Sequence, residues 1–507
     1  MRIQFCGADR TVTGSSHLIE INGKRILLDC GMYQGDPHDA ERLNHYLPDN
    51  PTKIDAMILS HGHLDHCGKL PVLYRAGYRG PIYCTPATQG VTMIVLYDAA
   101  KIQQENADYL NRQSKTAPPV MYDANDVAAT LALMKNVEYG QNVKLFDGIE
   151  FTFLDAGHIL GSTYVLLECQ EISPSPGNPG EGRGGGYSEL RTQNLELTQN
   201  PHPTPPPEYK GREDEAAGNK ILRRRLLFTA DVGRYNSPIL RDPTVIPTPC
   251  DFIITESTYG NSLHGPMENV EPQFLDAVKF CIDRRSRLLI PSFAVGRTQT
   301  VLWYIQKFIS EKKIPPIPVY VDSPMGVEVS KLHSQYRDAY DEETTRMIGA
   351  GDLFSLAHVT FASSVEDSKK INADPGPCVI IASSPSCDFG RILHHLKHSV
   401  SRPNDLVTFV GWIPPQTLGR RLQDGEKRVQ ILHDWYHVRC QVRTIHGLSA
   451  HADAAELMQF LKPSLTKDSK VFVVHGEVPQ AEALANSIRS TGTANVSVPA
   501  LGTVVEC

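Results

Sequence analysis

Long apolar runs are missing from this sequence of 507 residues. No stretch approaches the roughly 20 apolar residues that a membrane-spanning helix needs, and the segment MRIQFCGADR at the start lacks the apolar run of a signal peptide. The eleven cysteines are scattered, odd in number and without a CxxC pair, which argues against a disulfide framework. The sequence therefore predicts a cytoplasmic protein with no membrane span.

An excess of positive charge is missing as well. The 50 lysine and arginine residues are outnumbered by 57 aspartate and glutamate residues, and the net charge is −7. This balance excludes a general electrostatic attraction to polyanions, so any such partner must meet a local basic patch. The hydrophobic content of 41% is ordinary for a globular protein, and the length is sufficient for more than one core.

Strand and helix patterns alternate along the chain. Short runs rich in Ile and Val that end in turn residues predict strands, among them DAMILSH, LLFTADVG, DFIITEST and KVFVVHGE. Longer amphipathic segments such as GRTQTVLWYIQKFISEKK predict helices between them. This order indicates an α/β protein built from layered sheets and helices.

One region, 171–219, breaks this alternation. Proline, glycine, serine and charged residues dominate it, and we interpret it as a flexible surface insertion between two strands. Its basic residues, Arg183, Arg191, Lys210 and Arg212, leave open an arm that contacts RNA. The interleaved acidic residues favour the simple insertion.

The segment LSHGHLDHCGK places four titratable side chains at the end of a predicted strand. His61 and His63 alternate along an extended segment and can share a ligand direction, whereas Asp65 and His66 can face a second point beyond the bend. Imidazole and carboxylate groups are the ligands of hydrolytic zinc centres. The alternative, a cluster of solvated surface histidines, fits the spacing and the strand context less well.

Three further candidates follow other predicted strands. His158 lies in AGHILGS, Asp231 in TADVGR and His475 in VVHGE. A lone histidine after a strand is more often a hydrogen-bonded structural residue, but a carboxylate such as Asp231 can bridge two cations. Together with the histidine segment, these strand ends predict a dinuclear metal site.

These segments carry a family resemblance. SHGHLDHCG, AGHILGS, ADVGR and LLDCG resemble the metallo-β-lactamase superfamily. TESTYGNSLH, IPSFAVGRTQ, VYVDSPMG, GRILHHLKH, FVGW, IHGLSAHAD and VHGE resemble the β-CASP nucleases, which include the endonuclease of the cleavage-and-polyadenylation machinery and its bacterial homologues. The resemblance covers nearly the whole chain apart from 171–219.

The resemblance implies an α/β fold in which a metallo-β-lactamase αββα sandwich holds an inserted β-CASP α/β domain. The sandwich would begin with residues 1–259, the β-CASP domain would occupy 260–440, and 441–507 would return to complete the sandwich.

The resemblance also implies two zinc ions per chain. The implied metal ligands are His61, His63 and His158 for one ion, Asp65, His66 and His475 for the other, and Asp231 as the bridge. Asp29 would orient the hydroxide or a ligand. Glu256 and His451 would form a carboxylate–histidine pair that protonates the leaving oxygen.

The implied activity is hydrolysis of single-stranded RNA by a two-metal hydroxide mechanism, which leaves 5′-phosphate and 3′-OH ends. The sequence leaves open whether cleavage is internal, from the 5′ end, or both, and whether the chain forms a homodimer. Two alternatives also stay open: a metallohydrolase for a small ester or thioester, and a catalytically weak RNA-binding subunit.

Substrate contacts are predicted in the second domain and in the returning segment after it. A helix start with a nearby arginine attracts phosphate oxygens, and the segment PSFAVGRTQ combines the two. The histidine-rich helix in GRILHHLKH is interpreted as a basic rim or a solvated face, and Trp412 or Tyr259 could stack on bases. The predicted contact residues are Ser292, Arg297, Ser383, Ser384, Arg391 and Ser449.

One segment departs from the family pattern. The family has a glycine-rich SSGM-type turn where this chain has ASSPSCDFGR. Pro385 cannot donate a backbone hydrogen bond, and Asp388 adds negative charge near the path of a polyanion. The segment from Pro385 through Ser386 and Cys387 to Asp388 therefore predicts altered substrate affinity.

Overall fold

The computed structural model describes residues 1–35, 37–48, 50–112, 119–173, 215–216 and 219–507. Most of the predicted insertion, 174–214 with 217–218, lies outside the described residues, and so do the four basic residues of the alternative RNA-contacting arm. Within the described ranges, none of the helices combines the length and the apolar character that a membrane crossing requires.

The strands are short and occur throughout the chain. In chain order they are β1 (Arg2–Gly7), β2 (Ser16–Ile21), β3 (Lys24–Leu28), β4 (Ala56–Ile58), β5 (Ile82–Cys84), β6 (Met134–Asn136), β7 (Asn142–Phe146), β8 (Ile149–Asp155), β9 (Thr163–Ser173), β10 (Glu215–Ala216), β11 (Asn219–Phe228), β12 (Phe252–Thr255), β13 (Arg287–Pro291), β14 (Val319–Asp322), β15 (Val359–Phe361), β16 (Cys378–Ala382), β17 (Leu406–Phe409), β18 (Arg428–Ile431), β19 (Asp434–His437), β20 (Gln441–Thr444), β21 (Lys470–Val473), β22 (Asn495–Ser497) and β23 (Val504–Glu506).

The helices lie between these strands. They are α1 (Pro37–Asn44), α2 (Leu64–Cys67), α3 (Leu70–Arg75), α4 (Pro86–Arg112), α5 (Ala124–Leu131), α6 (Val270–Asp283), α7 (Arg297–Ser310), α8 (Pro324–Gln335), α9 (Glu342–Ile348), α10 (Val365–Ala373), α11 (Ile392–Ser399), α12 (Leu418–Gln423), α13 (Ala454–Leu461) and α14 (Val478–Arg489).

Two large sheets pack face to face. Their strand orders are β23-β1-β2-β3-β4-β5-β6 and β22-β21-β12-β11-β9-β8-β7. Phe5 of the first sheet packs with Phe151 and Phe472 of the second in one buried core between the sheets. The outer faces are covered by helices, chiefly α3 and α4 on the first sheet and α13 and α14 on the second. This αββα arrangement confirms the predicted metallo-β-lactamase fold.

A third sheet forms the centre of the inserted domain. Its order is β15-β14-β16-β13-β17-β20, and all of its pairings are parallel. β13 and β16 are fully buried along their length, as expected for strands covered on both faces by helices. The sequence assigned Gln441–Thr444 to the returning segment after residue 440. The structure instead pairs this strand, β20, with β17, because tertiary contacts rather than local sequence decide which sheet a strand joins.

The chain returns to the sandwich through β21. This strand lies between β12 and β22 in a parallel arrangement, and β23 then pairs with β1 in the other sheet. One edge of the sandwich therefore holds the loops that follow β3, β4, β8, β11, β12 and β21. All the predicted metal ligands lie at this edge. The boundary at 259/260 stays a prediction, whereas β20 lies beyond 440 and still belongs to the third sheet.

Candidate active site

Four donor atoms converge at the first predicted metal position. His63 Nδ1 lies 3.2 Å from both His61 Nε2 and His158 Nε2. Asp231 Oδ2 lies 3.5 Å from the same two Nε2 atoms. The four donors all lie within 4.8 Å of one another. They come from three separate loops, so the folded sandwich brings them together.

A second set of donors lies on the other side of Asp231. His66 Nε2 is 3.2 Å from His475 Nε2 and 3.3 Å from Asp231 Oδ1. His475 Nε2 is 3.4 Å from Asp65 Oδ2 and 3.6 Å from Asp231 Oδ1. Asp231 thus presents one carboxylate oxygen to each set, which is the geometry of a bridging ligand.

Hydrogen bonds fix the tautomers of four histidines. His66 Nδ1 donates to Asp29 Oδ2 at 2.7 Å, and the Nδ1 atoms of the other three face oxygen atoms at 3.1–3.2 Å. Because each Nδ1 carries the proton, each Nε2 offers its lone pair to the centre. The oxygen partners of the other three are Ser60 Oγ for His61, the Ala450 carbonyl for His158 and Thr258 Oγ1 for His475.

Asp29 lies behind the donors rather than among them. It is fully buried and accepts hydrogen bonds from the Ser60 backbone N–H at 2.8 Å and from the Ser60 hydroxyl at 2.9 Å, in addition to the one from His66. The Ser15 hydroxyl donates to it at 3.3 Å. Asp29 therefore orients His66.

The ligand loops adopt conformations that regular strands do not allow. Asp29, Ala230 and His475 have φ values of 56°, 44° and 49°, in the left-handed region that non-glycine residues rarely occupy. Gly233 allows the Asp231 loop to approach closely, since a Cβ atom there would lie 2.0 Å from the carbonyl oxygen of Gly157. Such conformations cost about 1–3 kcal/mol each and cluster at functional sites.

The electrostatics of the site suit cation binding. Burial lowers the pKa of His61 and His158 and lowers that of His63 to about 3, so these rings are neutral. Burial raises the pKa of Asp231, but the surrounding histidines outweigh this effect and lower the pKa well below its usual value. The carboxyl group is therefore ionised. Asp231 Oδ1 is buried and accepts no hydrogen bond from the described residues.

These observations test whether the residues fit two divalent cations. Eight of the separations between donor atoms are 3.2–3.6 Å. This spacing suits neighbouring ligands of zinc, whose bonds to nitrogen and oxygen are about 2.0–2.2 Å long. A cation placed between two such ring nitrogens, 3.2 Å apart, would bind the lone pair of each. The residues therefore fit a dinuclear centre.

His451 and Glu256 lie next to the donors as a pair. His451 Nδ1 is 3.2 and 3.3 Å from the two carboxylate oxygens of Glu256, and 3.9 Å from Asp231 Oδ2. Glu256 is held in place by the backbone N–H of Val232 at 2.6 Å. Burial lowers the pKa of His451, but Glu256 and Asp231 outweigh it and raise that pKa to about 9.

Comparisons with known proteins agree with this geometry. Three family models match: a metallo-β-lactamase superfamily domain at 18–173, a Beta-Casp domain at 298–422 and a Zn-dependent metallo-hydrolase RNA specificity domain at 435–499. Ribonuclease TTHA0252 of Thermus thermophilus is 32% identical over 495 residues, with 97% of each chain covered. The chain belongs to the β-CASP family of metal-dependent nucleases. This confirms the resemblance seen in the sequence.

Other similar proteins extend the comparison. Transcription termination factor FttA of Methanosarcina mazei is 28% identical, and the match covers 96% of this chain and 69% of that protein. A crystal structure of a protein of unknown function from Enterococcus faecalis V583 aligns over 99% of both chains with a TM-score of 0.51 and 11% identity. The latter likeness concerns the fold alone.

Two predicted substrate residues of this β-CASP nuclease face the cavity beside the metal ligands. Arg297 and Ser449 line a cavity together with His158 and Ala450, between the sandwich and the third sheet. Among the described residues, none is a hydrogen-bonding or ion-pair partner of the Arg297 guanidinium. Burial lowers its pKa to about 10, so it is still cationic at neutral pH.

The other predicted contacts are engaged within the protein. Ser292 and Ser384 are buried and donate to the carbonyls of Phe293 and Phe389, and Ser383 Oγ is 3.2 Å from Ser323 Oγ. Since these hydroxyls already have partners, contact with substrate would require them to exchange partners.

The predicted basic rim is divided between buried and exposed residues. Arg391 donates to Asp322 and to the carbonyls of Ser363 and Ser364. His395 is buried and donates to Asp322 Oδ2 at 2.8 Å. These two residues bind a buried carboxylate, and His394 and His398 are exposed on the same helix.

The departure from the family pattern folds against the next loop. Gly419 N donates to the carbonyl of Ser386 at 2.7 Å, and Leu418 N donates to Asp388 Oδ1 at 3.0 Å. Cys387 is fully buried, with its side chain in the core. The carboxylate of Asp388 thus has a backbone partner at the start of α12.

Proposed function

We propose that this protein hydrolyses single-stranded RNA with two zinc ions and leaves 5′-phosphate and 3′-OH ends. The observation that carries the proposal is the pair of donor sets that share Asp231, with the His451–Glu256 pair beside them. The names of its relatives, a ribonuclease and a transcription termination factor, agree with a role in RNA metabolism.

The proposed metal ligands are the two donor sets described above. Imidazole with a few carboxylates suits zinc, whereas magnesium and calcium prefer oxygen ligands. When bound, the two cations would neutralise the charge of the phosphodiester and lower the pKa of water.

The chain's own residues would then position the substrate and move a proton. The Arg297 guanidinium, which is unpaired within the described part of the chain, would bind a phosphate oxygen, and Ser449 lines the same cavity. An oxygen from water forms a bond to phosphorus while the bond from phosphorus to the ribose 3′ oxygen breaks. His451 would donate the proton that this leaving oxygen needs, because Glu256 holds Nδ1 and leaves Nε2 free to face the substrate.

Location and assembly are also part of the proposal. All eleven cysteines are unpaired and ten of them are buried, which supports a reducing compartment such as the cytoplasm. A homodimer stays a prediction, to be measured by sedimentation of the purified chain.

The proposal is tested with end-labelled single-stranded RNA and DNA of one sequence. Zinc-loaded protein should cut the RNA, and the mapped products should carry 5′-phosphate and 3′-OH ends. Cyclic phosphate ends would contradict the mechanism, since they arise by attack of the ribose 2′-OH. Cleavage of thioesters without cleavage of RNA would contradict the substrate class.

A further inference from the structure

Three large aromatic side chains are exposed at one edge of the third sheet. Phe293, Phe389 and Trp412 expose 61%, 64% and 63% of their surfaces. Single exposed apolar residues are ordinary on protein surfaces, but a group of aromatics in adjacent loops indicates an interaction site. We call these three residues the aromatic edge.

The sheet topology brings their loops together. Phe293 follows β13, Phe389 follows β16 and Trp412 follows β17, and these strands are parallel neighbours in the order β16-β13-β17. Adjacent strands lie about 4.8 Å apart, so the three loops leave the sheet within about 10 Å of one another. The loop of Phe293 is the middle one.

Hydrogen bonds tie the loops to each other. Ser292 N donates to the carbonyl of Ala382 at 3.0 Å, which links the first two loops. The bonds from Leu418 and Gly419 to Asp388 and Ser386 link the second loop to the third. The aromatic edge is therefore carried by one connected set of loops.

This edge continues directly from the candidate active site. Val295 packs in the same core as Ile159, next to the ligand His158. Arg297, four residues after Phe293, lines a cavity together with His158. A polymer lying in the active site would therefore reach Phe293 first.

The chemistry of the edge favours the faces of bases over phosphates. Pro385 has no N–H to offer to a phosphate, and Asp388 is exposed and acidic. These two residues stand in the loop that carries Phe389. Exposed aromatic rings bind planar, apolar groups, and single-stranded nucleic acid presents such groups in series.

We propose that Phe293, Phe389 and Trp412 form a stacking platform for the bases of single-stranded RNA next to the cleavage site. This inference rests on the proposed function and adds how the RNA strand is bound. The protein would contact the faces of the bases and would therefore show little sequence preference. A second copy of the chain would be the other occupant of such a surface, and the test separates the two.

The direct test is fluorescence quenching of Trp412 by RNA. The chain has three tryptophans, of which Trp303 is buried and Trp435 lies on the β18–β19 hairpin under the guanidinium of Arg428. A Trp435→Phe, His451→Ala variant reports on Trp412 while it cuts the RNA about 10²–10⁴-fold more slowly than the wild type. Quenching by a short RNA, and none by the same oligomer with abasic sugars, is the expected result.

Affinity and kinetics give a second readout. Trp412→Ala and Phe389→Ala should each raise the Kd for single-stranded RNA about 5- to 160-fold, the change that corresponds to about 1–3 kcal/mol per stacked base. Each should lower kcat/KM for RNA relative to kcat/KM for bis(4-nitrophenyl) phosphate. Trp412→Phe should recover most of the loss. Trp435→Ala, which removes an exposed tryptophan elsewhere, should change neither value.

Three results would overturn the platform: equal losses on RNA and on the abasic oligomer, no quenching with unchanged Kd, or a change in oligomeric state with unchanged RNA binding. The proposed function fails in a different way. In that case the wild-type protein cleaves neither RNA nor the nitrophenyl ester, whatever the quenching shows.

Discussion

Replacement of His451 by alanine tests the proposed chemistry most directly. His451 is one-fifth exposed and touches Glu256, while the seven proposed ligand side chains supply both donor sets without it. We therefore expect His451→Ala to retain two zinc ions and to bind RNA, yet to cut it slowly.

The size of the effect follows from the role of a general acid. Glu256 is 1% exposed and accepts hydrogen bonds from two backbone N–H groups, so it cannot turn away from the histidine. Removing a positioned acid costs about 10²–10⁴-fold in rate, or about 2.7–5.4 kcal/mol of transition-state stabilisation. The pH profile adds a signed expectation. The acid must be protonated, and Glu256 raises its pKa, so Glu256→Gln should move the alkaline limb of activity to lower pH.

The assay compares two substrates. A ribose 3′ oxygen needs a proton to leave, whereas 4-nitrophenolate leaves without one. The loss in kcat should therefore be about 10²–10⁴-fold on RNA and much smaller on bis(4-nitrophenyl) phosphate. Zinc content is measured by mass spectrometry on the same samples.

Either of two results would refute the reasoning. Loss of one zinc ion from His451→Ala would make the residue a ligand. Equal slowing of both substrates would make it a binding or structural residue. Retained zinc with a selective loss on RNA supports the acid role.

Three further predictions concern the metals, the insertion and the second domain. Asp231→Asn should lower the content of both metals and the rate of RNA cleavage, because a neutral amide cannot replace a shared anion; full activity with two metals bound would contradict the bridge. Replacing 174–214 by a short Gly/Ser turn should leave the thermal midpoint and the cleavage of short RNA unchanged. The strands β9 and β11 pair with each other as far as Ser173 and Lys220, next to this segment, and the length of a surface loop has little effect on stability. A large fall in kcat would place the segment in the active site. Asp322→Asn should lower the free energy of unfolding in urea by about 3–5 kcal/mol, because it leaves the Arg391 guanidinium without its carboxylate and removes the acceptor of His395. Burial raises the pKa of Asp322, but hydrogen bonds from His395 and other neighbours outweigh burial and lower the pKa overall. The stabilisation by the ionised carboxylate is therefore present at neutral pH and is lost as the pH falls through the lowered pKa. If Asp322→Asn lowered the free energy of unfolding by less than about 1 kcal/mol, this role of Asp322 would be contradicted.

Much of the site is predictable from local sequence. All seven predicted ligands lie in short segments that follow apolar strands, and parallel strands bring such ends to one edge. The spacing of the histidines around His61 predicts by itself that metal ligands point in two directions. The identity of the fold followed from the order of these segments along the chain.

The other features of the site depend on contacts that no local sequence pattern predicts. Ser60 and Thr258 orient metal ligands, but a serine or threonine beside a histidine is too common to predict such a role. Arg391 was expected to face the substrate, yet it binds Asp322, which lies about 70 residues earlier in the chain. The aromatic edge brings together three loops from distant parts of the sequence. Each case is decided by which strands become neighbours.

The position of β21 has a consequence for folding. The strand fits between β12 and β22 and presents His475 to His66, which lies 409 residues earlier in the chain. The second donor set is therefore complete only when β21 is seated in its sheet. A cation that binds this set should in turn stabilise the seated strand, because a ligand that binds only the folded arrangement shifts the equilibrium toward it.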